Sequence, residues 1–166
     1  MRQLLVAALF LTAASWNAPL RAQESGIPVG TKAPMVTVRD LDGKPVDLGQ
    51  YIGKKPVFLE FWATWCELCE ELLPRVRAAR AAYGDQVEFF GVNVTVNQSR
   101  DRVRRYVEKN QPPFRTLYDE EGTSTRAYQA PATSYVVIVD RSGKVAYTGS
   151  GGDQDLDGVL RRIIQN

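Results

Sequence analysis

The 166-residue sequence contains no histidine and only two cysteines, Cys66 and Cys69. Without histidine, Ser-His-Asp and Cys-His nucleophile systems, blue copper and the usual haem ligation are excluded, along with most catalytic zinc sites. A structural zinc site on the cysteines needs two further strong ligands, and the chain has no third cysteine to offer. Internal repeats and low-complexity tracts are also missing. The longest apolar run, Leu4 to Ala14, falls short of the roughly 20 residues that span a bilayer comfortably. With 44% hydrophobic and 24% charged residues, the composition is that of one globular domain with one core. Chemistry without a borrowed cofactor is therefore left to Asp, Glu, Lys, Tyr, Ser, Thr or the cysteine pair. No cofactor and no metal is expected.

The N-terminus differs in kind from the rest. Arg2 supplies a positive start, Leu4 to Ala14 an apolar stretch, and Ser15 to Ala22 a tail of small and polar residues, the order of a secretory signal peptide. Residues 1–22 are read as that signal, with cleavage expected after Ala22 and an uncleaved N-terminal anchor as the alternative. No cysteine lies near enough for a lipid anchor. Arg2 and Arg21 are the only charges in this segment and account for the whole formal net charge of +2. A nucleic-acid partner, which needs a concentrated basic face, thereby loses its support. Export would place the cysteines where disulfides persist.

Residues 23–31, with Gly26, Pro28 and Gly30, read as a leader, and 32–166 as the domain. Met35 to Val38 and Lys44 to Leu48 read as strands around an Asp42-Gly43 turn. Pro56 to Trp62 is an almost unbroken apolar run, as expected of a strand covered on both faces. Cys66 to Tyr83 reads as a helix with a kink near Pro74, and Val87 to Val94 as a second buried strand. Ser99 to Asn110 follows as a helix whose Arg100, Arg102, Arg104 and Arg105 form a solvated face. A strand (Phe114 to Tyr118), a helix (Glu120 to Tyr128), a hairpin (Ser134 to Thr148) and an amphipathic helix (Leu156 to Ile164) complete the chain. Helical crossovers followed by a hairpin imply an α/β fold with a mixed sheet.

The spacing Cys66-Glu67-Leu68-Cys69 places two thiols one helical turn apart, directly after a buried strand. A helix start offers free N–H groups and the positive end of the macrodipole, both of which stabilise an anion. Cys66 is thus expected to be the exposed thiolate nucleophile, and Cys69, further in, the resolving thiol. A purely structural disulfide gains little by closing so small a loop. Glu60, six residues before Cys66 and flanked by apolar residues, is a candidate buried acid that exchanges a proton with Cys69; the alternative is an edge acid facing solvent. Pro131 follows Ala130 in a loop before an apolar strand. A cis peptide there would free the Ala130 backbone to pair with an extended substrate, although a trans loop proline is the simpler reading of the residues alone.

F-W-A-T-W-C-E-L-C, with Pro74 eight residues after Cys66, Glu60 six before it, and A-P-A-T ahead of a hairpin, resembles the thioredoxin fold. The stretch from Gly30 to Val57 and the helix after Val94 resemble the TlpA/ResA-like branch of exported thiol-disulfide oxidoreductases. The resemblance implies that Cys66 attacks and Cys69 resolves, that Pro131 is a cis-proline beside them, and that Trp65 forms a wall of the substrate groove. It departs at Leu68, where proline is common, and at Thr95, Val96 and Asn97, where some relatives place a glutamate. Glu60 would then carry the acid's role alone.

Glu67, Glu70 and Glu71 crowd the pair with negative charge, which opposes thiolate formation, whereas a strong oxidant needs a stabilised reduced form. The expected activity is a periplasmic reductase of protein disulfides, for example in cytochrome c or copper-site maturation, re-reduced by a membrane thiol donor. Membrane association is expected only if the N-terminal segment stays uncleaved. A thiol peroxidase is the alternative within enzymes, disfavoured because Ala63 stands where its signature has threonine. A redox-independent chaperone or binding module on the same fold is the alternative outside them.

Overall fold

The computed structural model describes residues 26–165, so the expected signal segment and the first residues of the leader lie outside the described residues. Two hairpins open and close the domain. The first joins β1 (Thr37–Asp40) to β2 (Pro45–Asp47), and the second joins β6 (Tyr135–Val139) to β7 (Val145–Ser150). The two turns share one construction. Asp40 Oδ1 accepts from the N–H groups of Asp42 and Lys44, and Asp140 Oδ1 accepts from those of Ser142 and Lys144. Gly43 and Gly143 supply the positive φ of 80° and 82° that each turn requires.

Between the hairpins run β3 (Val57–Trp62), α1 (Glu67–Tyr83), β4 (Glu88–Asn93), α2 (Arg100–Asn110), β5 (Arg115–Tyr118) and the short α3 (Thr123–Ala127). The helix α4 (Leu156–Gln165) ends the chain. The strands form one sheet in the order β2-β1-β5-β4-β3-β6-β7. Its three central strands are parallel, as the helical crossovers dictate, and the outer pairs are antiparallel. This is the mixed α/β sheet expected from the sequence.

All six residues of β3 are buried, so its alternating side chains feed two apolar layers. Val57, Leu59 and Phe61 pack with Leu48, Ile52, Tyr128 and the N-terminal segment on one face. Phe58 and Trp62 point to the other. There Phe58 meets Leu72 and Val76 of α1 with Leu156 and Leu160 of α4, and Trp62 meets Cys66, Cys69, Val103 and Tyr118.

Two local expectations change. The helix expected from Glu120 begins only at Thr123, because Asp119 is buried and accepts from the N–H groups of Ser124 and Thr125 at its entrance. The arginines of α2 do more than face solvent. Arg100 donates to the Asp40 carbonyl and pairs with Glu120, Arg104 holds Leu41 O and the Asp42 carboxylate, and Arg102 reaches Thr64 Oγ1. Two of them thus clamp the first hairpin against the domain, a contact that helical periodicity alone does not reveal.

Candidate active site

Cys66 is the N-cap of α1, and its side chain is the capping group: Cys69 N–H donates to Cys66 Sγ at 3.1 Å. The Cys66 carbonyl accepts from the N–H groups of Cys69 and Glu70. The position therefore does to sulfur what an N-cap serine does with oxygen, and a thiolate there would receive a charge-assisted hydrogen bond at the positive end of the helix. Cys66 and Cys69 are joined as a disulfide, with their Cα atoms 5.2 Å apart. The expected contrast in exposure is not seen. In this bonded form Cys66 is 4% and Cys69 7% exposed, because both residues pack in one buried cluster with Trp62, Val103 and Tyr118.

Exposed apolar side chains surround the pair. Trp65 is 44%, Leu68 48% and Val96 62% exposed. Trp65 is fixed in place, its Nε1 donating to the Val96 carbonyl at 2.9 Å. The loop carrying Val96 is held in turn by Gln98, whose Oε1 accepts from Thr64 N–H just ahead of the cysteines and from Asn93 Nδ2. Thr95 donates to the Asp119 carbonyl. Residues 95–97 thus supply no second carboxylate and serve as a support for Trp65.

Glu60 lies on the face of β3 that also carries Phe58 and Trp62, between the α1 contacts of those two residues, and so beneath the first turns of α1. Its partners in register are Gly91 on β4 and Val136 on β6. At Gly91 a Cβ would come within 2.1 Å of the Phe114 ring, so the space beside Glu60 is filled by an aromatic edge. The acid is 2% exposed and its Oε2 has no hydrogen-bond partner among the described residues. Burial in this apolar setting raises its pKa from 4.5 to about 8, which makes it a neutral acid at pH 7. The edge-acid alternative is excluded. Tyr106, tilted against Trp62 with ring centroids 5.3 Å apart, has its own pKa raised by burial first, then by the charges of Glu70 and Glu60.

The other candidate residues fall differently. Ala130 N–H donates to Thr125 O at the end of α3, and Pro131 is exposed. All described peptide bonds are trans, as a plain loop proline requires, so the cis-proline implied by the resemblance is not found at Pro131. The residue of this segment that reaches the cysteine loop is Ser134. Its Oγ lies 3.3 Å from the carbonyl of Leu68 and 3.0 Å from that of Gly151. In the sequence alone Ser134 is only the first residue of a strand.

A sheet of this topology with a bonded Cys-x-x-Cys pair at the start of its first helix defines a thioredoxin-like dithiol-disulfide protein. Comparison with known proteins agrees. The Redoxin family model matches residues 28–161. The thiol-disulfide oxidoreductase ResA of Geobacillus thermodenitrificans is 31% identical over 144 residues, covering 85% of this chain and 81% of its own. Two solved structures share the fold. The thioredoxin domain of a thiol-disulfide oxidoreductase from Bacteroides vulgatus has a TM-score of 0.70 at 22% identity, covering 82% of this chain and 99% of its own. A secreted Mycobacterium tuberculosis disulfide oxidoreductase homologous to E. coli DsbE has a TM-score of 0.66 at 24% identity, covering 80% and 96%. The chain belongs to the Redoxin family, in its ResA-like thioredoxin-fold branch, and is a thiol-disulfide oxidoreductase.

Proposed function

We propose that the protein is an exported reductase of protein disulfides, in which Cys66 attacks, Cys69 resolves and Glu60 handles the proton of Cys69. The observation that carries this reading is a carboxyl that is neutral at pH 7 and buried among apolar groups beneath the start of α1, with its Oε2 left without a hydrogen-bond partner among the described residues. In the reductive half-cycle the Cys66 thiolate attacks one sulfur of a substrate disulfide, and a substrate thiolate leaves. Cys69 gives its proton to the Glu60 carboxylate and attacks Cys66 Sγ, which releases the second substrate thiolate and closes the Cys66–Cys69 bond. Two electrons pass from the dithiol to the substrate. In the return half-cycle a thiol donor, expected in the membrane, attacks Cys66 Sγ. Cys69 then leaves as a thiolate and takes its proton from Glu60, and a second thiol of the donor attacks the donor sulfur of the mixed disulfide, which releases Cys66 as a thiolate and leaves the donor oxidised to its own disulfide.

Three further features support the reading. Glu67, Glu70 and Glu71 are exposed around the pair, and their charge disfavours the thiolate that a strong oxidant must stabilise. Trp65 and Leu68 offer an apolar rim to a protein segment, with Ala130 and Pro131 on an adjacent loop as further candidates for substrate contact. Export rests on the order of charge and apolarity in residues 1–22; among the described residues no helix is long and apolar enough to cross a membrane. The test is a Cys69→Ala variant expressed with its signal. It is expected to accumulate mixed disulfides through Cys66 with exported proteins. Recovery of none, with the variant folded and exported, would overturn the reductase reading.

A further inference from the structure

Ser134 is fully buried, stands immediately before β6 and has φ of +60°, a left-handed conformation uncommon for a residue with a Cβ. Its hydroxyl lies between two carbonyl oxygens, Leu68 O at 3.3 Å and Gly151 O at 3.0 Å. One proton is shared between the two. The backbone of Ser134 is fixed as well, since its carbonyl accepts from Gly151 N–H at 3.3 Å and from Gln154 Nε2 at 3.2 Å. Gln154 is itself buried, donates a second bond to Gly151 O at 2.8 Å and accepts from Tyr147 Oη at 3.1 Å. The hydroxyl thus belongs to a buried polar network anchored on β7, and among the described residues the one group it reaches outside that network is the Leu68 carbonyl, between the two cysteines.

We propose that Ser134 is a positioning residue for the dithiol: through the Leu68 carbonyl it holds the Cys66-Glu67-Leu68-Cys69 turn in the geometry that closes the disulfide. This rests on the oxidoreductase reading of the same pair. A turn already ordered in the dithiol form loses less freedom when the S–S bond forms, so the effective concentration of one thiol at the other is higher. The dithiol is then the stronger reductant. Strain at a non-glycine φ of +60° is retained because the network over-determines it.

The experiment is the equilibrium of the purified protein with reduced and oxidised glutathione, measured on wild type, Ser134→Ala and Ser134→Gly. Both variants lose the hydroxyl, while glycine also relaxes the backbone at φ +60°. Both are expected to lower the equilibrium constant for closing the disulfide by about fivefold, the size of one net hydrogen bond. That corresponds to a potential about 20 mV less reducing. Ser134→Gly is expected to be the more stable of the two in urea, which separates the redox effect from any loss of fold. Wild-type constants in both variants, or a shift in Ser134→Ala alone, would overturn the assignment. A wild-type chain that does not exchange with glutathione at all would overturn the oxidoreductase reading itself, and this role with it.

Discussion

Two carboxylates are buried to the same depth in this domain and behave in opposite ways. Glu60 is 2% and Asp119 3% exposed. Asp119, just past the end of β5, has its needs met: Oδ1 accepts from Ser124 N–H at 3.1 Å, and Oδ2 from Thr125 N–H and Thr125 Oγ1, each at 2.7 Å. It is a helix-entrance acceptor, and its charge is solvated by α3. Glu60 sits among Gly91, Phe114 and Val136, and its Oε2 is left without a partner. Burial alone therefore does not mark a chemical acid. The mark is burial without hydrogen-bond compensation, which pushes the pKa to about 8 and suits the residue to the proton-handling role proposed for it.

The largest expected break in this comparison is kinetic. Glu60→Gln keeps the shape and removes the titrating group, so the rate of disulfide opening by dithiothreitol at pH 7 should fall by about a hundredfold, the lower end of general acid-base contributions. The wild-type rate profile should carry an inflection near pH 8 that the variant lacks. The same substitution in kind at the other site, Asp119→Asn, should leave both rate and profile unchanged. Stopped-flow measurement of tryptophan fluorescence across pH 6 to 10 would read all three proteins. Equal rates for wild type and Glu60→Gln would remove Glu60 from the mechanism.

A second break is thermodynamic, and its sign is opposite to that of an ordinary paired carboxylate. The folded pKa of Glu60 is about 8 and its unfolded value about 4.5, so the folded chain holds a proton that the unfolded chain has released between those pH values. Stability of the oxidised protein is thus lost as pH rises from about 4.5 and levels off above about 8. At pH 7 the penalty is about 3 kcal/mol, since each pKa unit is worth about 1.4 kcal/mol. Urea unfolding of oxidised Glu60→Gln should show a flatter pH dependence and greater stability than wild type at pH 7. Parallel slopes in the two proteins would contradict the buried neutral acid.

The contrast between the acids was half legible in the sequence. An acid inside P-V-F-L-E-F-W announces its own burial, because the apolar residues flank it along the same strand. Cys66 and Cys69 were legible for a similar reason, since strand, turn and helix start are local. Asp119 was not, because its partners are backbone N–H groups of Ser124 and Thr125 that converge on it only through the turn at Gly122, whose φ is +65°. Ser134 was hidden more deeply. Its carbonyl target, Leu68, lies 66 positions earlier, and a positive φ at a serine leaves no trace in the pattern S-Y-V-V-I-V. Arg100 and Arg104 were misread for the same reason, as the first hairpin they clamp is some 60 residues away.

The smallest expected effect sharpens the comparison from the other side. In Asp119→Asn one oxygen becomes an amide nitrogen, and either orientation leaves it facing an N–H donor, of Ser124 or of Thr125. At least one buried donor then loses its acceptor. The expected cost is about 1–2 kcal/mol of stability at pH 7, the usual price of an unsatisfied buried donor. Glu60→Gln is expected to gain stability at the same pH. Opposite signs from the same carboxylate-to-amide exchange, measured side by side in urea, would show that compensation rather than depth separates the two acids. A stabilising Asp119→Asn would mean that its three hydrogen bonds do not offset the charge it buries, and the distinction drawn from Glu60 would fail.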